Sequence, residues 1–139
     1  MIKHYNPNPA CKFFKSGKPK NWYINDSAIR VIAKVFDTTW ETAYDMLSKA
    51  GLVLHDIPIS KQSINFVLEK NGFEFVTLGK PKRGEPRPNV NEFVKNLDNS
   101  SSIYVLNLAD YFVTVINGDI YDVSDECLKS AVYSYWIKK

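Results

Sequence analysis

Tyr111-Phe112-Val113-Thr114-Val115-Ile116-Asn117-Gly118-Asp119-Ile120-Tyr121-Asp122 is the stretch that decides the fold. Two runs of β-branched and aromatic residues flank Asn117-Gly118. A type I′ turn needs positive φ at both central residues, and Asn-Gly meets that need at least cost. The stretch predicts an antiparallel hairpin, with strands over 111–116 and 119–122. Working back from it, the apolar run Ile103–Leu108 behind the Asp98-to-Ser102 turn predicts a strand. Beyond the hairpin, 131–137, with Tyr133, Tyr135 and Trp136, predicts another. Phe73-Glu74-Phe75-Val76-Thr77-Leu78 alternates with period two and predicts one more.

The first half of the chain reads differently. Asn6-Pro7-Asn8-Pro9 and Gly17-Lys18-Pro19 break any helix, so residues 1–24 read as an irregular arm. Asn25 or Asp26 can cap a helix over 27–36, with Ile29, Ile32, Ala33 and Phe36 at helical spacing. Thr38-Thr39-Trp40-Glu41 fits a capping box opening a second helix, with Trp40, Ala43, Tyr44 and Leu47 on one face and Gly51 as its stop. Ser60 caps a third helix that buries Ile64, Val67 and Leu68 and ends at Asn71-Gly72. A short helix runs from Asn89 or Asn91 to about Leu97. Helices first and strands second give the α+β class, with N-terminal helices on one side of a C-terminal antiparallel sheet.

At 139 residues the chain is one domain. Hydrophobic residues are 45% and charged residues 24%, too apolar for disorder. No run approaches the ~20 apolar residues of a membrane span, and the N-terminus lacks an apolar secretory core. A cytoplasmic protein without membrane contact is therefore expected. Cys11 and Cys127 have no CxxC partner, and His4 and His55 have no metal-ligand neighbour at zinc spacing. No metal or cofactor is expected. The net charge of +3 is too mild to imply nucleic acid by itself. Two segments concentrate it: Lys3 to Lys20, and Lys80-Pro81-Lys82-Arg83-Gly84-Glu85-Pro86-Arg87-Pro88. Phe13, Phe14, Trp22 and Tyr23 interleave with the first and could stack on bases.

Several stretches resemble, in order, a family of small papain-like cysteine peptidases common in bacteriophages and prophages. They are Tyr5-Asn6-Pro7-Asn8-Pro9, Asp26-Ser27-Ala28-Ile29-Arg30-Val31-Ile32, Thr39 to Leu47, Asn71-Gly72-Phe73, Val113 to Asp122, and Val132-Tyr133-Ser134-Tyr135-Trp136. Family members open their first helix with Gly-Asp-Cys-x-x-Arg-Ala. They carry Gly-His-x-x-Ala-Val ahead of an Asp-Gly hairpin and Ile-Tyr-Asp. The resemblance implies a single papain-like domain over 1–139. It also implies that Ser27 stands where the family has cysteine and Tyr111 where it has histidine, with Asp122 retained. A serine hydroxyl needs a general base, and a phenol with pKa near ~10 is a poor one at neutral pH. Asp110, next to Tyr111, is expected on the opposite face by strand alternation.

These positions imply a degenerate, non-catalytic papain-like protein of phage or prophage origin. It would act in the host cytoplasm by binding a host protein or small ligand, as a counter-defence protein does. Asp26, Ser27, Tyr111, Trp22, Lys82 and Arg83 are the expected contact residues. An active hydrolase or acyl-transferase using Ser27, and a nucleic-acid-binding module using the basic segments, are the alternatives.

Overall fold

Asn117 and Gly118 both take positive φ, 53° and 77°, and close the expected hairpin between strands β4 (Tyr111–Ile116) and β5 (Asp119–Asp122). In the computed structural model, residues 1–9, 25–98 and 101–139 are described. The basic aromatic segment that holds Cys11, Phe13, Phe14, Trp22 and Tyr23 lies outside them. The other elements are β1 (Ile2–His4), α1 (Ser27–Val35), α2 (Trp40–Leu54), α3 (Lys61–Lys70), β2 (Glu74–Thr77), α4 (Val90–Lys95), β3 (Ile103–Leu108), a 3-10 turn (Glu126–Lys129) and β6 (Ser134–Lys138). The strands form one mixed sheet in the order β1-β5-β4-β3-β6-β2. The fold is α+β, as expected.

Two features of the expected architecture need correction. The sheet is not wholly antiparallel, because β1 pairs parallel to β5, with Ile2 opposite Ile120 and His4 opposite Asp122. The N-terminal arm was expected to be irregular because Ile2-Lys3-His4 has too little apolar pattern to read as a strand. It becomes one by docking on the free edge of β5, aided by the 3.1 Å Lys3–Asp119 ion pair. His4 is accordingly held on a strand, its Nε2 2.8 Å from Asp125 Oδ1.

Nor do the helices occupy one side. Val105, Phe112 and Trp136 pack with α1, α2 and α3, whereas Tyr104, Leu106, Leu108, Val113, Val115 and Ile120 pack with α4 and the 3-10 turn. A strand covered on both faces reads as a continuous apolar run. Ile103-Tyr104-Val105-Leu106 is such a run. Helix α1 is buried at every position from Ser27 to Ala33, packed between β4 and α2. A helix covered on all sides is apolar all round, so its one charged residue there, Arg30, must have partners.

Local chemistry sets the helix ends. Thr39, not Thr38, caps α2, its hydroxyl accepting from Thr42 N at 3.1 Å, so Glu41 falls at the second helical position and the expected capping box does not form. Ser60 and Asn89 cap α3 and α4 in the same way. Gly51 does not stop α2. The helix runs on to a left-handed cap at His55, and Gly51 is required where the chain returns, because a Cβ there would sit 2.5 Å from the Asp56 carbonyl oxygen. Of the aromatics in and beside these elements, Trp136 is fully buried, but Tyr44 is 45% and Tyr133 39% exposed.

Candidate functional site

Asp26 ends the approach to α1 but does not cap it with its side chain. Its carboxylate is taken up elsewhere. Oδ1 accepts from Arg30 at 2.6 Å, and Oδ2 accepts from Asn8 Nδ2 at 2.9 Å and from Trp40 Nε1 at 3.0 Å. Arg30 lies one turn on along α1, so the spacing that aligns i and i+4 on a helix face makes the pair. Its other terminal nitrogen donates to the Tyr111 hydroxyl at 2.5 Å and lies 3.5 Å from Asp122 Oδ1. Tyr111 in turn donates to Asp122 Oδ1 at 2.6 Å, which also takes the backbone N–H of Val123 at 2.8 Å.

The result is a chain of polar groups, Asp26–Arg30–Tyr111–Asp122, that ties α1 to the ends of β4 and β5. Asp26, Arg30 and Asp122 are all nearly fully buried. Burial first, then the hydrogen bond to Asp122, push the Tyr111 phenol well above its ordinary range, with Arg30 opposing. At neutral pH Tyr111 is a fixed donor and not a base.

Ser27 occupies the first position of α1 and is 3% exposed. Its Oγ accepts the backbone N–H of Phe112, from β4, at 3.2 Å. Ser27 also lines a cavity of about 750 Å³ between the start of α1, the 57–61 connector and the β3–β4 turn. Tyr111 lines a second cavity of about 340 Å³, with Arg30, Asp122 and Cys127. The structure therefore brings Asp26, Tyr111 and Asp122 together through Arg30, and places Ser27 against the neighbouring residue of the same strand. Asp110 departs from expectation. It sits in the two-residue β3–β4 turn with φ of 55°, where strand alternation does not apply, and it lines the Ser27 cavity. No hydrogen bond joins it to Ser27 among the described residues. Neither histidine lines either cavity.

Lys82 and Arg83 are exposed in the loop after β2 and line neither cavity. Trp22 lies outside the described residues. The cation that lines the Ser27 cavity is Lys61, while Lys80 and Arg87 join Lys61 around a smaller cavity that shares Asn107 and Tyr133 with it. Lys61 has no signal in the sequence beyond its place after the Ser60 cap, and Tyr133 beside it reads only as a strand aromatic. Among the described residues no group of three His, Cys, Asp or Glu could hold a metal ion, and no helix is long and apolar enough to cross a membrane.

Cys127 adds a titration that can be read out. Its thiol is 4% exposed, and burial, then the hydrogen bond to Asp122, push it up to about 12. An ordinary thiol ionises near ~8.5, so between pH ~9 and 12 the unfolded chain has released a proton that the folded one keeps. Stability is expected to fall as pH rises through that window, and the raised Tyr111 adds in the same direction above pH ~10. Urea midpoints measured at pH 8, 10 and 11 should drop more steeply for the parent chain than for Cys127→Ala/Tyr111→Phe. Equal slopes would remove both groups from the alkaline transition.

No protein-family model, curated protein or solved structure matches this chain.

Proposed function

We propose that this chain is a binding protein and not a catalyst: a degenerate papain-like domain of phage or prophage origin that acts on the host by holding a ligand in the Ser27 cavity. One observation carries the reading. Where the resemblance calls for a nucleophile and its base, the Ser27 hydroxyl receives the Phe112 N–H, and Tyr111 is clasped as a donor between Asp122 and Arg30. A serine attacks a carbonyl when a neighbouring base takes its proton. Tyr111 is already protonated and its proton is committed to Asp122. The resemblance to phage proteins supports a host protein or host small molecule as the counterpart, and a counter-defence role in the host cytoplasm.

A cavity of about 750 Å³ falls within the ~300–1,000 Å³ typical of ligand pockets. The apolar groups Ile57, Ile59, Leu108 and Phe112 line it together with the polar Asn25, Ser27, Ser60 and Asn107. That mixture suits a ligand bound by shape and a few hydrogen bonds.

Treatment with a fluorophosphonate probe over a range of pH should leave Ser27 unmodified by intact mass. Ser27→Ala should keep the fold and cost no more than about tenfold in ligand affinity, since the residue gives up one neutral hydrogen bond. An adduct on the parent chain that disappears in Ser27→Ala would overturn the proposal in favour of an acyl-transfer enzyme.

A further inference from the structure

Three cations converge on one small cavity without a carboxylate. Lys61, at the start of α3, Lys80, just after β2, and Arg87, before α4, line a space of about 330 Å³ with Phe75, Asn107, Tyr133 and Ser134. No Asp or Glu lines it, and none of the three cations has an ion-pair partner among the described residues. Two of them, Lys61 and Arg87, are placed by contacts that leave their charge uncompensated. The Lys61 ammonium sits 4.7 Å from the centre of the Phe75 ring, and the Arg87 guanidinium 4.6 Å from that of Tyr133. Arg87 also donates to the Gly79 carbonyl at 2.7 Å, which ties the two ends of the basic loop together.

Aromatic faces and a carbonyl orient a guanidinium or ammonium but do not neutralise it as a carboxylate would. Three such charges within one concavity repel each other and create a positive potential that an anion would relieve.

This basic cavity adjoins the Ser27 cavity, because Lys61, Asn107 and Tyr133 line both. The joined groove is polarised. Its basic end carries Lys61, Lys80 and Arg87. The Ser27 side carries Asp110 on the β3–β4 turn together with the apolar Ile57, Ile59 and Phe112. Tyr133, 39% exposed, stands at the junction with Arg87 over its ring. A ligand that fits has a compact anionic head for the cations and a planar, largely apolar body that can lie beside Tyr133. Arg forks match phosphate oxygens, and every nucleobase has a face to stack on an aromatic ring.

We infer that the groove binds a small phosphate ester carrying a planar ring, a mononucleotide in size and chemistry, with its phosphate on Lys61, Lys80 and Arg87 and its base beside Tyr133. The inference deepens the binding role proposed for the Ser27 cavity by giving its ligand a class. Its test does not depend on the state of Ser27: probe labelling decides catalysis, and the titrations below decide the ligand.

The test is a titration of the full chain with adenosine 5′-monophosphate, adenosine and inorganic phosphate, followed by amide chemical shifts. The monophosphate should bind at least about tenfold more tightly than either fragment, shifting signals of residues 61, 80, 87 and 133, and should weaken as salt is added. Lys61→Gln/Lys80→Gln/Arg87→Gln should lose about tenfold or more of that affinity. Tyr133→Leu removes both the stacking ring and the support of Arg87, so it should weaken the monophosphate by a larger factor than it weakens phosphate. Lys49→Gln/Lys129→Gln removes charge elsewhere and should change neither.

Several results would overturn the inference. Millimolar nucleotide could leave the spectrum unmoved, phosphate and monophosphate could bind equally, or the triple variant could bind like the parent. A single-stranded oligonucleotide that binds with far higher affinity per nucleotide and a steep salt slope would replace the small ligand with a nucleic acid.

Discussion

Replacing Arg30 by methionine is expected to lower stability by about 3–5 kcal/mol, the cost of removing one partner from a buried ionic pair. The geometry explains the size. The guanidinium lies between two carboxylates, Asp26 at 2.6 Å and Asp122 at 3.5 Å, and all three residues are nearly out of water. Methionine fills a similar volume, so little of the loss comes from a cavity. It comes from two carboxylates left without their cation, and from a Tyr111 hydroxyl that loses one of its partners. Domains of this kind hold about 5–15 kcal/mol in all, so the variant should be folded but marginal.

Equilibrium urea unfolding followed by circular dichroism measures the effect. The decisive companion is Asp26→Asn/Arg30→Met/Asp122→Asn, in which no charge is left buried. If burial of unpaired charge is the cause, this triple variant should regain more than half of the loss, because an uncharged replacement of a whole ionic cluster is often close to neutral. A loss below ~1 kcal/mol for Arg30→Met would mean that water already solvates the cluster, as at a surface pair.

That cluster is also what local sequence pattern does not encode. The Asn117-Gly118 hairpin, the Ser60 and Asn89 caps, and strands 103–108, 111–116 and 119–122 were legible because each is fixed by local chemistry: a turn conformation, a cap or a period. The parallel β1 was not legible. Ile2-Lys3-His4 becomes a strand only by pairing with β5, more than a hundred residues later.

The site divides the same way. Ser27 at the start of α1, and Asp122 at the end of β5, could be placed on their elements from pattern. That Arg30 would join Asp26 to Tyr111 and Asp122 could not, since residues 30, 111 and 122 meet only after α1 packs on β4. Asp110 was misplaced because alternation holds only within a strand, and residue 110 lies before β4 begins, in the turn, with a φ of 55°. Lys82 and Arg83 are the densest charges in the basic run, yet it is Lys80 and Arg87 that line a cavity. Arg87 does so through its bond to Gly79, a residue whose φ of 70° gave no warning in the sequence. The two-faced sheet was the one long-range feature with a legible signal, in the unbroken apolar run at 103–106.

Trp136→Ala should cost about as much as Arg30→Met, roughly 3–5 kcal/mol, by a different route. Trp136 is fully buried on β6, opposite Phe75 of β2 and Val105 of β3. Its indole N–H donates to Asn65 Oδ1 of α3 at 2.8 Å, and its ring lies 5.2 Å from Phe75 and 6.2 Å from Phe112. Truncation removes the side chain that fills the space between α3 and the sheet, and leaves Asn65 without its donor.

The consequence reaches the groove. Phe112 walls the Ser27 cavity with its ring and holds the Ser27 hydroxyl with its N–H, while Phe75 supports Lys61. A void behind both rings lets them relax inward, so the variant should lose ligand affinity even where it remains folded. Trp136→Phe keeps most of the volume and forfeits the bond to Asn65, so a loss of about 1–2 kcal/mol with the groove unchanged is expected. Guanidinium unfolding gives the two stability changes, and chemical shifts of residues 61 and 112 report the groove. Shifts that move in Trp136→Ala but not in Trp136→Phe would show that ring support, and not the Asn65 bond, carries the shape of the site. Because Trp136 and Arg30 share no hydrogen-bond partner, their losses should add, and the double variant should be largely unfolded without denaturant.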